Sequence, residues 1–404
     1  MDFEVIILGT DINAYYMARN CHEAYNKKAF LIGKVAMNFT SYSKILNLEL
    51  VENLHDEEIF RDALMRNALK FKGKKLLLIG SNDTYIRLIM ENQDFLKPYY
   101  YFPIISENLL NNLLIKDRFY QVFKTIDIPD TYIYNLKKGK LDFKRINELK
   151  FPLILKPGNS INYYKYPFEG QAKVYKIKDK KELVLVLDKI KEAGYEENMI
   201  IQRFIPGDDS CLFDVMVYCD RTKKVKLMTL AQIGLQERTP TGVGNCTLLI
   251  NGYNEYGNTL EVVEKLKKFI EKIDYHGFAE IDVKYDKSDQ KFKVLEINPR
   301  QARCSYYLTA CGFNLVEYLV DDLIYEKDFT YKFINEKMCL SFVPKAVIKK
   351  YVDNKLYKKE VLKLIKERKF IDPLDYKRDR SIKRQFWLFM RKINYLKKYK
   401  NNDW

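Results

Sequence analysis

The sequence predicts a mixed α/β protein of several domains, and three features of the chain support this fold class. The apolar segments 3–9 and 75–80 are typical of buried strands, and each is followed by a stretch with helical character. Between residues 151 and 298, short strands alternate with two helices, and the C-terminal end is basic and helical. A chain of 404 residues is too long for one hydrophobic core. We divide it into four parts, which are 1–105, 106–200, 201–330 and 331–404.

The composition favours packed cores and a reducing compartment. Apolar residues make up 47% of the chain and aromatic residues 14%, which excludes global disorder. The seven cysteines are scattered without a Cys-x-x-Cys pair, so neither a disulfide framework nor a zinc site is indicated. The chain begins with a strand-like segment instead of a signal peptide, and no apolar run reaches the roughly 18 residues of a membrane span. We expect a soluble, cytoplasmic protein.

Three oxygen-bearing side chains are predicted to meet on one face of a β-hairpin. The segment GFAEIDVKYD is typical of one strand and KFKVLEINPR of the next, joined by the polar turn DKSDQK. Glu296 and Asn298 are two apart, so their side chains point to the same face. A turn of three residues, 288–290, would place Asp282 opposite Glu296. Such oxygen ligands suit Mg²⁺; the alternative is a polar hairpin edge whose acids pair with lysines.

Two lysines upstream are candidates for binding phosphate. Lys156 ends the apolar strand FPLILKPG, which fixes its direction, and Lys116 lies in the segment LLIKDRFYQVF. Between them and the hairpin, IIQRFIPGDDS is typical of a strand that enters a Pro-Gly turn. Backbone N–H and C=O groups of that strand are candidates to hydrogen-bond to a purine edge. Asp209 is a candidate to accept hydrogen bonds from ribose hydroxyls. Each lysine alone would be an ordinary surface residue in so lysine-rich a chain, so the hypothesis depends on the whole set.

The order of these segments resembles an ATP-grasp ligase across residues 106–320. Residues 1–105 resemble the Rossmann-like pre-ATP-grasp domain that precedes it. The resemblance is carried by Lys116, Lys156, IIQRFIPGDD, AEIDVKYD and VLEINPR. Three further stretches resemble the D-aspartate ligases that build peptidoglycan cross-bridges, namely ILGTDINAYYMAR, KPGNSINYYKYPFEG and ERTPTGVGN. The resemblance implies an ADP-forming carboxylate–amine ligase that uses ATP and Mg²⁺.

The resemblance also implies roles for individual residues. Lys116 and Lys156 would contact the ATP phosphates, and Asp209 would accept hydrogen bonds from the ribose. The adenine hinge would consist of Gln202, Arg203, Phe204 and Ile205, and the Mg²⁺ ligands would be Asp282, Glu296 and Asn298.

This sequence departs from the family pattern at two points. Arg203 stands where many relatives have an acid, which puts the hinge contacts in doubt. The loop PFEGQAKVYK, which would cover the phosphates, has one glycine where a glycine- and serine-rich loop is usual. In relatives the backbone amides of this loop bind the phosphates. Lys173 is therefore a candidate to bind them here through its positive charge.

Two arginines are candidates for the chemistry itself. The resemblance implies that Arg300 faces the transferred phosphate or the acyl-phosphate. Arg238, in the loop QERTPTGVGN, either binds the carboxylate substrate or the developing oxyanion, or is an exposed arginine on a mobile loop. An acyl-phosphate mechanism needs positioning and charge stabilisation, and no side-chain nucleophile. The sequence, with three histidines and no Gly-x-Ser-x-Gly motif, is consistent with that chemistry.

The positive charge is concentrated at the C-terminal end. The net charge is +16, and residues 345–404 contain 20 lysines and arginines against 7 acidic residues. In this region apolar residues recur at helical spacing, at Ile382, Phe386, Phe389, Ile393 and Leu396. Around them lie the basic residues Lys383, Arg384, Arg391, Lys392, Lys397 and Lys398. We expect this helix either to pack on the body with its basic face in solvent or to lie on an anionic membrane.

These observations lead us to expect an ATP-dependent ligase that adds D-aspartate to the stem-peptide lysine of a peptidoglycan precursor. We expect it in the cytoplasm, with peripheral contact at the inner face of the membrane as an option. One alternative is a ligase of the same superfamily with another donor or another amine. A nucleic-acid-binding protein is disfavoured because the charge lies at one end and no aromatic RNA-binding motif is present, so no nucleic-acid partner is expected. A non-catalytic nucleotide-binding scaffold is disfavoured by the three presumed metal ligands.

Overall fold

The structure is a computed structural model that describes residues 2–239, 242–257 and 259–401. Its strands form three sheets, one parallel, one antiparallel and one mostly antiparallel, with helices packed against them. The predicted mixed α/β fold class is therefore confirmed. None of the helices in the three described ranges combines the length and the hydropathy of a membrane span.

The first sheet is built by the N-terminal residues and is parallel throughout. Its strands are β1 (Phe3–Leu8), β2 (Ala29–Gly33), β3 (Leu46–Leu50), β4 (Lys75–Gly80) and β5 (Tyr100–Tyr101). They pair in the order β3-β2-β1-β4-β5. The helices between them are α1 (Ile12–Tyr25), α2 (Asn38–Ser41), α3 (Glu57–Lys70), α4 (Asp83–Glu91) and α5 (Gln93–Leu96). The carboxylate of Asp11 caps α1 by accepting from the backbone of Asn13 and Ala14, so this turn is fixed at the carboxyl edge of the sheet.

The second sheet has four antiparallel strands and a hydrophobic core of its own. Two helices precede it, α6 (Glu107–Leu114) and α7 (Lys116–Val122). Its elements are β6 (Thr131–Asn135), α8 (Phe143–Leu149), β7 (Leu153–Pro157), α9 (Ser160–Tyr163), β8 (Tyr175–Ile177), α10 (Lys180–Glu192) and β9 (Asn198–Arg203). The strand order is β6-β9-β7-β8. The apolar residues that recur at helical spacing in α10, among them Leu183 and Leu187, are buried in this core with Leu155 and Ile201.

The third sheet is the largest, with nine strands in the part of the chain that the structure describes. Its first part comprises β10 (Leu212–Cys219), β11 (Val225–Thr229), β12 (Ala231–Gln236), β13 (Cys246–Asn251), α11 (Thr259–Lys272), β14 (Gly277–Asp286) and β15 (Lys291–Asn298). Two helices follow, α12 (Tyr306–Ala310) and α13 (Leu315–Leu323). Strands β15, β14, β10, β12 and β13 are neighbours in that order, and β11 pairs with β10. The hairpin β14–β15 therefore forms one edge of this sheet.

The segment 331–404, predicted as a mostly helical tail, also contributes strands to the third sheet. These are β16 (Lys332–Ile334), β17 (Met338–Ser341) and β18 (Phe370–Ile371), which pair with β11, β13 and β17 respectively. The helices of the segment are α14 (Lys345–Tyr351), α15 (Lys355–Lys366) and α16 (Ile382–Asn401). Because β17 and β18 complete the sheet beyond β13, the described part of this segment belongs to the folded body.

The register of the β14–β15 hairpin confirms one prediction and corrects another. Asp282 pairs with Glu296, as predicted. The predicted three-residue turn is wrong, because Asp286 pairs with Lys291 and four residues form the turn. A bulge restores the register: Val283 pairs with Val294, which leaves Leu295 as the extra residue. The backbone oxygen of Leu295 accepts a hydrogen bond from the Tyr120 hydroxyl, so a residue of α7 is bound to the bulge.

Helix α16 packs on the body through a face different from the apolar one identified in the sequence. Its buried residues are Arg384, Leu388, Tyr395 and Tyr399. The Arg384 guanidinium contacts the buried Asp379 and donates to the backbone oxygen of Phe39, while Tyr399 bonds to Thr247 at 2.7 Å. By contrast Ile382 is 91% exposed, Phe386 66% and Phe389 59%. The polar tips of the buried arginine and tyrosines find partners on the body, so they can dock where a simple apolar stripe does not.

Candidate active site

Two adjoining cavities lie between the three sheets and share one wall. The first cavity has a volume of about 210 Å³ and lies between the second and third sheets; we call it the nucleotide cavity, after the ligand predicted for the residues that line it. The second, of about 320 Å³, lies between the hairpin and the N-terminal turn at Asp11; we call it the reaction cavity, after the predicted metal ligands and Arg300 that line it. Both cavities are lined by Lys173, Gly244, Asp282 and Glu296. A molecule in one cavity can therefore reach a molecule in the other past these two carboxylates.

Three lysines predicted to bind phosphate line the nucleotide cavity together. Lys156 is buried at the end of β7 and donates a 2.8 Å hydrogen bond to the neutral Tyr120 hydroxyl. Burial, followed by repulsion from Lys116 and Lys173, lowers the pKa of Lys156 well below its usual range. Burial also lowers the pKa of Lys116 to about 8, and its ammonium contacts the Glu296 carboxylate. Bringing three cations together inside the protein is unfavourable, and a polyphosphate would relieve that repulsion.

The four predicted hinge residues also line the nucleotide cavity. Gln202 donates to Thr131 Oγ1 at 2.7 Å, and Phe204 lies with its ring 4.5 Å from the Lys176 ammonium. The Arg203 guanidinium is held by Asp130 and Asp286. The unusual arginine is thus compensated by two acids. Much of the remaining wall is apolar, provided by Ile154, Val174, Leu212, Ile233 and Leu295, and the polar side chains of Gln236 and Lys284 also line the cavity. This apolar slot beside three lysines suits a purine base and its phosphates.

Asp209 is the one predicted nucleotide residue that does not line this cavity. Its two carboxylate oxygens accept hydrogen bonds from the backbone and the side-chain amide of Gln236, at 2.9 and 2.7 Å. Gln236 itself lines the cavity at the end of β12. In this structure Asp209 therefore positions a wall residue, and its role as ribose acceptor stays a prediction.

The three predicted metal ligands converge on the reaction cavity. Asp282, Glu296 and Asn298 all line it, and Asn298 Nδ2 lies 3.5 Å from Asp282 Oδ2. Burial, and secondly the neighbouring Glu280, raises the pKa of Asp282 to about 7. A carboxyl group that resists ionisation in this setting gains most from a nearby cation, and all three ligands offer oxygen atoms. The residues present therefore fit a Mg²⁺ ion, and their ligation of it stays a prediction.

Two further acids belong to the same face and were missed in the sequence. Glu280 pairs with Asn298, and Asp214 on β10 pairs with Asp282. Among the described residues, Asp214, Glu280 and Cys304 form the one group of three whose ligand atoms lie within 4.8 Å of one another. Burial raises the pKa of Asp214 well above its usual range, and its oxygens accept from Tyr307 and Cys304 at 3.0 and 3.2 Å. The alternation in GFAEIDVKYD could have revealed Glu280, because it lies two residues before Asp282 on the same strand face.

The two predicted catalytic arginines lie in different places. Arg300 lines the reaction cavity, where Nε donates to Asp83 at 2.7 Å and Nη1 to Glu280 at 2.9 Å. Burial alone would lower the pKa of Arg300, but these two carboxylates raise it above its usual range. Arg238 is not brought to either cavity. Its guanidinium lies over the rings of Tyr351 and Tyr399, at 5.1 and 5.4 Å.

A third arginine, not predicted, lines the reaction cavity. Arg303 follows Arg300 in the segment NPRQAR and is held by Glu237 at 3.2 Å and by the Tyr395 hydroxyl of α16 at 3.1 Å. The sequence signal was weak, since an arginine a few residues beyond a strand end is common in a basic chain. Its place in the cavity depends on α16, which is distant along the chain.

Comparison with known proteins identifies the family. No known family model matches the sequence. A D-aspartate ligase from Enterococcus faecium (strain Aus0004) is 34% identical over 413 residues, covering 99% of this chain and 96% of the relative.

Solved structures share the fold at low sequence identity. The N5-carboxyaminoimidazole synthetase of Staphylococcus aureus complexed with ADP is 13% identical, with a TM-score of 0.61 over 84% of this chain and 82% of that one. The L-amino acid ligase of Bacillus licheniformis is 14% identical, with a TM-score of 0.57 over 80% of this chain and 74% of that one. The chain belongs to the D-aspartate ligase family of ATP-grasp enzymes and is an ADP-forming carboxylate–amine ligase.

Proposed function

We propose that this enzyme joins D-aspartate to the stem-peptide lysine of a peptidoglycan precursor, with MgATP as the source of energy. One observation carries the proposal. A lysine-lined nucleotide cavity and a reaction cavity share the Asp282 and Glu296 carboxylates. That arrangement lets a terminal phosphate held by the lysines meet a carboxylate held in the neighbouring cavity. The donor and the acceptor are inferred from the D-aspartate ligase that is similar over almost the whole chain.

The proposed reaction has two steps. A donor carboxylate oxygen attacks the γ-phosphorus of ATP, the bond to the β,γ-bridging oxygen breaks, and ADP leaves with that electron pair. The acceptor amine then attacks the acyl carbon, loses a proton and expels inorganic phosphate, which leaves an amide. Replacing an oxide leaving group by phosphate is what makes amide formation feasible near neutral pH.

The proposed roles of the residues are to bind charged groups and to hold them in position. Lys116 and Lys156 hold phosphates, and Asp282, Glu296 and Asn298 would hold Mg²⁺, which would supply charge compensation at the phosphate oxygens. Arg300 lines the reaction cavity and is fixed by Asp83 and Glu280, so the position of its guanidinium is preorganised. None of these roles needs a side-chain nucleophile.

The donor and acceptor can be tested together by measuring ADP release. Purified enzyme is incubated with MgATP and a panel of D- and L-amino acids, with and without a muramyl pentapeptide, and Glu296→Gln serves as the control for contaminating ATPase. We expect the largest stimulation with D-aspartate plus acceptor, and a product whose mass equals the sum of both minus water. Stimulation by another pair would replace the proposed donor or acceptor, and no stimulation by any pair would contradict the proposed function.

We further propose that the outer face of α16 contacts an anionic membrane. Ile382, Phe386 and Phe389 are mostly exposed on it, and the exposed Lys383 and Lys397 are on the same helix. Each lysine near an anionic surface contributes about 1 kcal/mol. The charge available is smaller than the sequence indicated, because four of the six basic residues contact the body: Arg384, Arg391, Lys392 and Lys398 contact Asp379, Phe342, Asp372 and Glu237 respectively.

Vesicle flotation tests this contact. We expect the enzyme to float with vesicles that contain phosphatidylglycerol. With vesicles of pure phosphatidylcholine it should remain in the bottom fraction. Replacing Phe386 and Phe389 by Asp should abolish flotation while leaving turnover of a soluble acceptor unchanged. The control is Leu185→Asp, which places the same charge at a similarly exposed apolar residue on α10. Equal flotation of all three proteins would show that α16 does not bind the membrane.

A further inference from the structure

We propose that Asn13 and Arg303 form the subsite for the parts of the donor amino acid that do not react. Arg303 binds the donor's second carboxylate, and Asn13 accepts a hydrogen bond from its ammonium group. Both residues line the reaction cavity. The inference rests on the proposed function, because it takes the donor to be a dicarboxylic amino acid.

A second donor carboxylate needs its own cation because the walls of the reaction cavity are already acidic. The side chains of Asp11, Glu280, Asp282 and Glu296 all line this cavity. A further carboxylate without a counter-charge would lose hydration and be repelled by these acids. One donor carboxylate reacts beside Asp282 and Glu296, so the other must lie where a positive charge is available.

Among the described residues, three cations line the reaction cavity, and two of them are otherwise engaged. Arg300 is neutralised by Asp83 and Glu280. Lys173 also lines the nucleotide cavity, where its charge acts on Lys116 and Lys156. The third cation, Arg303, forms an ion pair with Glu237. Because Glu237 also contacts Lys398, it balances the charge of Arg303 only in part.

The Arg303 guanidinium is held in a fixed position with a free donor. Nη1 donates to Glu237 at 3.2 Å, Nη2 donates to the Tyr395 hydroxyl at 3.1 Å, and the group lies 5.3 Å from the Phe342 ring. Its Nε atom is buried and has no hydrogen-bond partner within the described part of the chain. Buried N–H groups are nearly always paired, so an unpaired one beside a cavity points to an acceptor on the ligand. A planar guanidinium suits a carboxylate in particular.

Asn13 supplies the complementary group from the N-terminal turn of α1, which also lines the cavity. It lies in the first turn of α1 and is 8% exposed. Its Nδ2 donates to the backbone oxygen of Ser81 at 2.8 Å, which fixes the amide so that Oδ1 is the free atom. Oδ1 is buried and has no partner among residues 2–239, 242–257 and 259–401. An unpaired acceptor and an unpaired cationic donor in one cavity match the ammonium and carboxylate of an amino acid.

Steady-state kinetics of two arginine variants test the first half of the subsite. We expect Arg303→Met to raise the KM for D-aspartate about 10–100-fold, the usual cost of a hydrogen bond to a charged group, with the KM for ATP unchanged. The matched control is Arg391→Met. Arg391 also donates to the Tyr395 hydroxyl, at 3.2 Å, and lies 5.7 Å from the Phe342 ring, but it does not line the cavity. Equal increases in the two variants would mean that Arg303 only supports α16, and would overturn the inference.

A panel of donors distinguishes a binding role of Arg303 from a structural one. Loss of a merely structural residue would not change the preference of the enzyme between donors. The wild-type enzyme should prefer D-aspartate over the monoamide that keeps the reacting carboxylate, by about 10-fold or more. In Arg303→Met this preference should largely disappear, and in Arg303→Lys it should be partly kept, because the charge stays while the planar fork is lost. An unchanged preference in Arg303→Met would show that another group binds the second carboxylate.

Substitution of two asparagines on α1 tests whether Asn13 binds the ammonium group of the donor. Asn20, like Asn13, is buried with an unpaired Oδ1, but it does not line the cavity. We expect Asn13→Ala to raise the KM for the donor about 10-fold and Asn20→Ala to leave it unchanged. Equal effects of both substitutions would assign Asn13 a structural role and overturn its part in the subsite.

The same panel separates this inference from the proposed function. If the wild-type enzyme prefers another dicarboxylic amino acid, D-aspartate is replaced as donor, and the Arg303 and Asn13 variants are compared on the preferred one. If the preferred donor has a single carboxylate, the role of Arg303 is overturned even though the enzyme is a ligase.

Discussion

The two cavities differ in how their positive charges are balanced. In the nucleotide cavity the buried Lys156 bonds to a neutral hydroxyl, and its neighbours Lys116 and Lys173 repel it. In the reaction cavity Arg300 is neutralised by two carboxylates. Three neighbouring lysines that share the Glu296 and Asp282 carboxylates keep an excess of positive charge and attract a polyanion, whereas a neutralised and fixed guanidinium orients a ligand without binding it strongly. Under the proposed function, affinity for ATP and catalysis would be assigned to separate sets of cations.

The difference between lysine and arginine fits these two tasks. Lysine is a compact charge on a flexible stem, able to follow a phosphate as it is transferred. Arginine keeps its charge and presents its donors in a fixed plane, which suits a reacting carboxylate or acyl-phosphate. The hairpin β14–β15 carries the carboxylates between them, so its register determines how the two cavities meet.

The largest effect is expected from Arg300→Ala. Losing one preorganised charge-stabilising donor costs roughly 10²–10³ in kcat, and the KM for ATP should change little because Arg300 does not line the nucleotide cavity. Turnover is measured as phosphate release at saturating substrates. The control is Asp83→Asn, which breaks the same ion pair and keeps the guanidinium. If Asp83→Asn lost as much activity as Arg300→Ala, the ion pair would be the important feature, and the guanidinium would have no separate role.

An intermediate effect is expected from Lys156→Met. The substitution should stabilise the enzyme in the absence of nucleotide but weaken its binding of MgADP and ATP. Without nucleotide the variant should melt at a higher temperature, because a buried ammonium whose hydrogen-bond acceptor is a neutral hydroxyl is replaced by an apolar side chain of similar length. With MgADP the thermal shift should shrink, and the KM for ATP should rise about 10–100-fold.

Differential scanning fluorimetry and initial rates measure both parts of this prediction. Tyr120→Phe serves as the control, since it removes the hydroxyl that positions Lys156 and leaves the charge. A variant that melts at a lower temperature yet binds MgADP normally would contradict a phosphate-binding role for Lys156.

The smallest effect is expected from Arg238→Ala. Because its guanidinium lies over Tyr351 and Tyr399, away from both cavities, kcat and both KM values should stay within about threefold of wild type. Initial rates under the conditions used for Arg300→Ala measure this directly. A loss of a hundredfold would show that Arg238 reaches the substrates during turnover, and it would weaken the division between the two cavities.

The sequence predicted the parts of the site that depend on local pattern. Lys156 at the end of a strand and the alternation of Glu296 and Asn298 are visible over a few residues. The position of Asp282 opposite Glu296 was predicted with a turn one residue too short, and the bulge at Leu295 compensates for that error. The Tyr120 hydroxyl, distant along the chain, donates to the backbone oxygen of the bulged Leu295, and no residue pattern within the hairpin indicates that contact.

The parts that escaped prediction depend on contacts between distant segments. Asp214 joins the acidic face through the pairing of β10 with β14, and Arg303 is placed by Tyr395 of α16. The docking face of α16 was misread because its apolar stripe is the more visible pattern. The face that docks is made of an arginine and tyrosines whose polar ends bond to the body, which no periodicity of apolar residues reveals.

The most direct test of the central claim is to trap the activated donor. Enzyme, MgATP and D-aspartate are incubated with hydroxylamine and without the peptide acceptor, and ADP and aspartyl hydroxamate are measured together. If the terminal phosphate passes from the lysine-lined cavity to a carboxylate in the neighbouring one, hydroxamate should form in step with ADP, and Arg300→Ala should suppress both. Formation of AMP in place of ADP, or ADP without any hydroxamate, would contradict the account.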